Sequence, residues 1–317
     1  MRSRQVLIYF AWSRPGETGA PLPIIDDRFP AIFELRRLFY PKFEELAHPS
    51  QVDQGIGGFL DHVQKPNFAA FAALAATQSG RPVRQVERVA EDGVTTPLGR
   101  SLLSQVDTLV IISFDSLRTG QAATPAEIDA VQDFLASQDH LAAVCPHHDI
   151  GTTNVAEGGQ LAEHLHHGDP AIPPRQVFGG FARTLLAGLG VPVLNRFGLR
   201  PASNSDGTPV PLIADRALDR LGLLRGVDAL NLHPHLPHFE CLPEGGDGMD
   251  VLVRQRIDMS APPHPFTAGG RDTFDAVLQS KIGRFAGTLL VGDTTLWSST
   301  AGGLDDLRRL WSNVLSR

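Results

Sequence analysis

Eight of the twelve histidines fall into three clusters: His147 and His148; His164, His166 and His167; His233, His235 and His238. Neutral imidazole binds zinc, iron, copper and nickel, and catalytic sites combine two or three such rings with a carboxylate while leaving one coordination position open. Asp149, Glu163, Asp169 and Glu240 are close enough in sequence to supply the carboxylate. The spacing matches no defined pattern such as HExxH, so clustering alone carries the reading. The expected ligands of a divalent ion, zinc or iron, are drawn from His147, His148, His164, His233, His235, His238 and Glu240. Such an ion would polarise a carbonyl or activate water, and Asp149 or a further histidine would move the proton. A bland reading competes at each cluster. Histidines at the helix end "QLAEHLHHGD" meet the negative end of a helix dipole. The other two clusters could be hydrogen-bonded rim residues.

The stretch "LAAVCPHHDIG", residues 141–151, offers a second chemistry. A cysteine at the end of a buried strand is a nucleophile when a base and a helix N-terminus lower its pKa. Cys145 would then attack, His233 would act as base, and backbone N–H groups near His147 would hold the oxyanion. Cys145 is equally readable as a small buried hydrophobe, and Pro146 disfavours a tight strand-to-helix elbow. With only Cys145 and Cys241, the chain has no disulfide framework, which points to free thiols and a cytoplasmic location.

Positioning such side chains requires a sheet. Short apolar runs rich in β-branched residues predict strands at Gln5–Trp12, Pro82–Ala90, Asp107–Phe114, Leu141–Cys145, Val227–His233, Asp250–Ile257 and Gly287–Val291. Several alternate with segments of helical period, which predicts an α/β fold with a mostly parallel sheet. The clearest helix is "TPAEIDAVQDFLASQ". Thr124 caps it, Pro125 fits its first turn, Glu127 completes a capping box, and Ile128, Val131, Phe134 and Leu135 share one face. Further helices are expected at Ala31–Leu46, Asn67–Ser79, Arg175–Leu189 and Leu304–Leu315. In an open α/β sheet, ligands sit outside the carboxyl ends of the strands. His147 and His148 should follow one strand and "NLHPHLPHFE" another, on the same rim.

A net charge of −7 with no run of Lys or Arg argues against nucleic acid as a partner. The apolar stretch near the N-terminus is too short for a membrane span and lacks a cleavage site, so it reads as a first strand. No composition shift marks a boundary, so residues 1–317 read as a single domain. Loops at Ser13–Pro30 and His48–Pro66 are long enough to form a lid over a small-molecule substrate. Candidate lid residues are Arg14, Glu17, Asp26, Asp27 and Arg28, each also readable as solvated charge. Homo-oligomerisation is left open by the sequence.

The run "VDTLVIISF", the helix "TPAEIDAVQDFLAS" and "LAAVCPHHDIG" together resemble the centre of the class I glutamine amidotransferase-like superfamily, in its PfpI-type and ThuA-like branches. "PPHPFTAG", "GTLLVGDTTLW" and "LRRLWSNVLSR" resemble the closing turn, strand and helix of ThuA-like chains, so the resemblance spans roughly Asp107 to Arg317. It implies a flavodoxin-like fold, with helices on both faces of the sheet and an active site at the strand ends. Amidotransferases carry Gly-x-Cys-x-Gly and a later His-Pro-Glu. Here Ala143 and His147 flank Cys145, and His235 stands where glutamate is expected after His233. Loss of the orienting carboxylate removes the acceptor that fixes a base's tautomer, which argues against glutamine hydrolysis. ThuA-like relatives likewise have His in place of the nucleophile.

The expected function is therefore a metal-dependent enzyme, a hydrolase of a small polar molecule. The alternatives are a cysteine hydrolase or hydratase using Cys145 and His233, an iron-dependent oxidoreductase using two His and one carboxylate, and a non-catalytic ligand-binding protein.

Overall fold

The computed structural model describes residues 4–18, 68–151, 156–168, 175–230, 233–299 and 304–317. The expected helix at 31–46, the loop at 48–66, most of the loop at 13–30, and Asp26, Asp27, Arg28 and Asp169 lie outside the described residues.

The strands β1 (Val6–Ser13), β3 (Thr108–Ser113) and β4 (Leu141–Pro146) are buried at every position. Their side chains alternate between two separate cores. Ile8, Phe10, Val110, Ile112, Ala143 and Cys145 face one side, and Leu7, Tyr9, Leu109, Ile111, Ala142 and Val144 the other. A strand covered on both faces has no polar side, which is why these runs read as continuously apolar.

A short helix, α1 (Arg14–Thr18), follows β1, and on the first face lie α2 (Ala69–Ser79) and α7 (Leu304–Ser316), contributing Phe71, Ala75, Leu307, Leu310, Trp311 and Val314. On the second lie α3 (Arg100–Leu103), α4 (Pro125–Phe134) and α6 (Gly180–Gly188), contributing Leu102, Val131, Phe134, Phe181 and Leu185. The capping box of α4 forms as its sequence predicts. Glu127 N–H donates to Thr124 Oγ1 at 3.3 Å, and Thr124 N–H donates to Glu127 Oε2 at 2.9 Å.

The main sheet has the order β2-β1-β3-β4-β10-β9-β8-β6, with β2 at Arg84–Val89, β6 at Ile213–Ala214, β8 at Met249–Arg256, β9 at Thr273–Ser280 and β10 at Thr288–Gly292. Pairings from β2 through β10 are parallel; β9, β8 and β6 extend the sheet antiparallel. A separate antiparallel ribbon pairs β5 (Val193–Leu199) with β7 (Leu236–Cys241).

Among the described residues of the expected strand at Val227–His233, none is in a strand. In place of a ladder at Val227–His233, side chains satisfy the backbone of residues 227–229. Asp228 and Ala229 N–H groups donate to Asp306 Oδ2 at 2.9 and 2.7 Å, and Arg216 donates to Val227 O at 3.0 Å. The strand forms instead after the histidines, as β7. His233 and His235 thus reach the rim from the N-terminal side of a strand. Among the described residues, no helix is long and apolar enough to cross a membrane.

Candidate metal centre

Five imidazoles, those of His147, His148, His167, His233 and His235, converge at the carboxyl ends of β4 and β10. These strands are parallel neighbours, with Val144 opposite Val291. The chain leaves β4 through Pro146 into His147 and His148, and leaves β10 into Asp293, so all three emerge on one rim. The first described turn beyond β4 is clamped from the ribbon. Asn195 Nδ2 donates to His147 O and to Phe178 O, while Asn195 O accepts from Asp149 N–H at 3.0 Å. Helix α5 (Glu157–His167) packs against β5 and delivers His167 from its last turn.

His148 and His167 are both buried at 3% exposure, with Nε2 atoms 3.1 Å apart. The His235 ring stacks on His167 at a centroid distance of 3.6 Å and meets His148 edge-on at 5.2 Å. One ligand atom from each of the three can be chosen so that all lie within 4.8 Å of one another. Zinc–imidazole bonds of about 2.0–2.1 Å put two nitrogens on one tetrahedral ion about 3.3 Å apart, close to the observed pair. Nδ1 of His148, of His167 and of His235 is buried without a hydrogen-bond partner. A single shared proton would satisfy the facing Nε2 pair only as one donor and one acceptor, whereas a cation uses both lone pairs.

Burial, followed by the neighbouring imidazoles, holds His148 well below the ordinary histidine range, and the same causes bring His167 down to about 3. His235 and His233 are also lowered, in both cases chiefly by burial. Neutral rings keep the lone pairs that coordination requires. The donor set therefore fits a divalent ion.

Beside this trio, His147 Nδ1 lies 3.3 Å from Oδ2 of Asp293, whose Oδ1 accepts from Thr295 N–H at 2.9 Å. Burial alone would raise the Asp293 carboxyl. Hydrogen bonding to His147 and electrostatic interaction with His147 and His233 outweigh it and hold the group below its usual value. An ionised carboxylate only accepts, so His147 Nδ1 is the donor and its Nε2 carries the lone pair. Phe114 packs at 4.7 Å from the His147 ring and stacks on Phe178, forming an apolar wall beside it. His147, His148 and Asp293 form a second set with ligand atoms within 4.8 Å.

Several expected residues lie elsewhere. Cys145 points into the apolar core, at 1% exposure, and its Sγ accepts from Trp297 Nε1 at 3.1 Å. Burial pushes its thiol upward, so it lacks both the thiolate character and the access a nucleophile needs. Asp149 is committed to the turn, accepting from Phe178 N–H at 3.1 Å and from Arg183, and so does not face the rings as a proton carrier. His164 sits one turn before His167 and is partly buried, and it is His167 that joins the trio. His238 Nδ1 accepts from Asp275 N–H at 3.1 Å, and Glu240 pairs with Arg196 at 2.5 Å; both belong to the ribbon.

Of the other carboxylate candidates, Glu163 accepts from Gly151 N–H at 2.8 Å, closing the turn. Arg14 is buried in a pair with Glu87 at 2.7 Å, and Glu17 accepts from Ser116 N–H at 3.1 Å. His166 is also structural. Its Nδ1 donates to Pro262 O at 2.7 Å and its Nε2 accepts from Arg200 N–H at 3.1 Å. The residue with no counterpart in the sequence reading is Asp293. "LLVGD" would have revealed it, because Asp293 follows a predicted strand in the manner of His147.

No protein-family model matches the chain, and no curated protein matches it. Among solved structures it is similar to an exo-beta-1,4-mannosidase, Op5Man5 from Opitutaceae bacterium strain TAV5, at 13% identity and a TM-score of 0.35. The match covers 98% of this chain and 35% of that one, so the chain spans about a third of the mannosidase's length. A likeness this distant assigns neither fold nor activity.

Proposed function

We propose that this protein is a metal-dependent hydrolase of a small polar molecule, with zinc or iron held by His148, His167 and His235. The observation that carries the reading is the buried Nε2 pair of His148 and His167, 3.1 Å apart, with a third imidazole stacked on it. His148, His167 and His235 would hold a divalent ion that, when bound, would polarise a carbonyl or lower the pKa of water, with one coordination position left open. His147 is the general base. Asp293 fixes its Nδ1–H tautomer and stabilises the imidazolium, so Nε2 would accept a proton from a substrate or water O–H. Phe114 and Phe178 limit water around that ring.

A flavodoxin-like core within the glutamine amidotransferase-like superfamily belongs to the same proposal. Its support is the order β2-β1-β3-β4-β10, equivalent to the 2-1-3-4-5 order of that fold, with the rings at the carboxyl ends of β4 and β10.

A second reading rests on the other ligand set. Two histidines and one carboxylate, here His147, His148 and Asp293, are the donors of non-haem iron oxygenases. Elemental analysis of untagged protein purified without chelators separates the two. The hydrolase reading expects about one equivalent of metal, lost in His167→Ala and His235→Ala and retained in His147→Ala. The oxidative reading expects the reverse. Metal-free protein that takes up no added zinc or iron overturns both.

A further inference from the structure

The ribbon holds the only non-glycine residue with positive φ among the described residues, Phe197 at 63°. Arg196 pairs with His238 and Leu199 with Leu236, so Phe197 and Gly198 together stand opposite Pro237. Proline has no N–H to give the ladder, and a bulge at that point costs no donor. The bulge presses the backbone of Gly198 onto the metal trio. A Cβ at position 198 would lie 2.6 Å from His167 Cδ2 and 2.8 Å from His148 Cδ2. In each ring Cδ2 is bonded to Nε2, so Gly198 touches the edges that carry the two facing nitrogens. The Phe197 ring packs 4.9 Å from His264 and 5.2 Å from Phe266 between centroids.

Backbone held in the left-handed region by a bulky residue persists only where its surroundings enforce it, and such positions concentrate at functional sites. We infer that Phe197 and Gly198 are positioning residues that set the separation of His148 Nε2 and His167 Nε2, making a preformed divalent-metal site. The inference rests on the proposed ligand set and adds the device that builds it. Gly198 is required for its missing side chain, and Phe197 for the backbone turn that brings Gly198 to the rings.

The test is cobalt(II) titration of the full chain, read by the visible absorption of a tetrahedral site, with far-UV circular dichroism on every variant. Gly198→Ala is expected to bind cobalt at least tenfold more weakly than the wild type, with an altered spectrum. Phe197→Gly and Phe197→Val both remove the ring, but only glycine holds positive φ without cost. Phe197→Gly should stay within about threefold of the wild type, and Phe197→Val should lose tenfold or more. This pair keeps the test decisive even where Gly198→Ala fails to fold. Equal affinities in Phe197→Gly and Phe197→Val, or an unaltered Gly198→Ala, overturn the inference while leaving the metal site standing. A wild type that binds no cobalt overturns the ligand set itself.

Discussion

His148 and His167, 19 residues apart in sequence, are both buried and face each other Nε2 to Nε2 at 3.1 Å. The first follows a central strand and the second ends a helix packed on the ribbon. Two neutral donors at this separation, with a third ring stacked beside them, are arranged for a cation.

Metal removal should therefore lower stability. An ion present at about 100 times its dissociation constant stabilises the native state by about 2.7 kcal/mol. Urea melts with and without a strong chelator should differ by about that amount in the wild type. In His148→Ala the difference should vanish.

Replacement of Asp293 by asparagine should leave metal content unchanged and lower turnover by about 10²- to 10⁴-fold, because the acceptor that fixes the His147 tautomer is lost. Hydrolysis of a panel of small chromogenic esters and amides, measured beside metal content, checks this. Loss of metal in Asp293→Asn would favour the iron set instead.

Cys145→Ala should leave chelator-sensitive turnover intact. The thiol is enclosed and serves as acceptor for Trp297 Nε1–H, so its removal orphans a buried donor and enlarges an apolar cavity lined by Leu223, Leu252 and Val314. The expected cost is about 1–3 kcal/mol in denaturant melts. Abolished turnover with retained metal would revive the thiol as a nucleophile.

Asp115 gives a pH dependence of known sign. Burial raises its carboxyl from 3.8 to about 6, against hydrogen bonds from Ser113 and Phe181. Between those values the folded state binds the proton and the unfolded state does not, so stability from this group falls as pH rises through the interval. The full effect is about 3 kcal/mol. The stability difference between Asp115→Asn and the wild type should shift in the variant's favour by up to that amount from pH 4 to pH 7, and a flat difference would contradict it.

Much of the scaffold was legible along the chain. Apolar runs at β1, β3, β4 and β10 report burial on two faces, and Thr124, Pro125 and Glu127 specify the start of α4 through contacts three residues apart. The ribbon was not legible. β7 contains Pro237 and His238, and its partner β5 breaks register at Phe197 and Gly198, so neither shows a clean period of two. Val227–Leu230 looked like a strand because its apolar residues are buried, yet Asp306 and Arg216 hold its backbone from afar.

The sequence by itself determined that imidazoles would gather on the rim beyond β4, because strand and turn propensities are local and the rim follows from parallel topology. Which rings meet was decided only in three dimensions. His167 enters and His164 does not because α5 docks on β5. Asp293 replaces Asp149 as the useful carboxylate because Arg183 claims one and His147 reaches the other. Ligand geometry depends on the relative placement of β4, α5, β10 and the ribbon, and that placement is set by long-range packing rather than by any residue's neighbours in the chain.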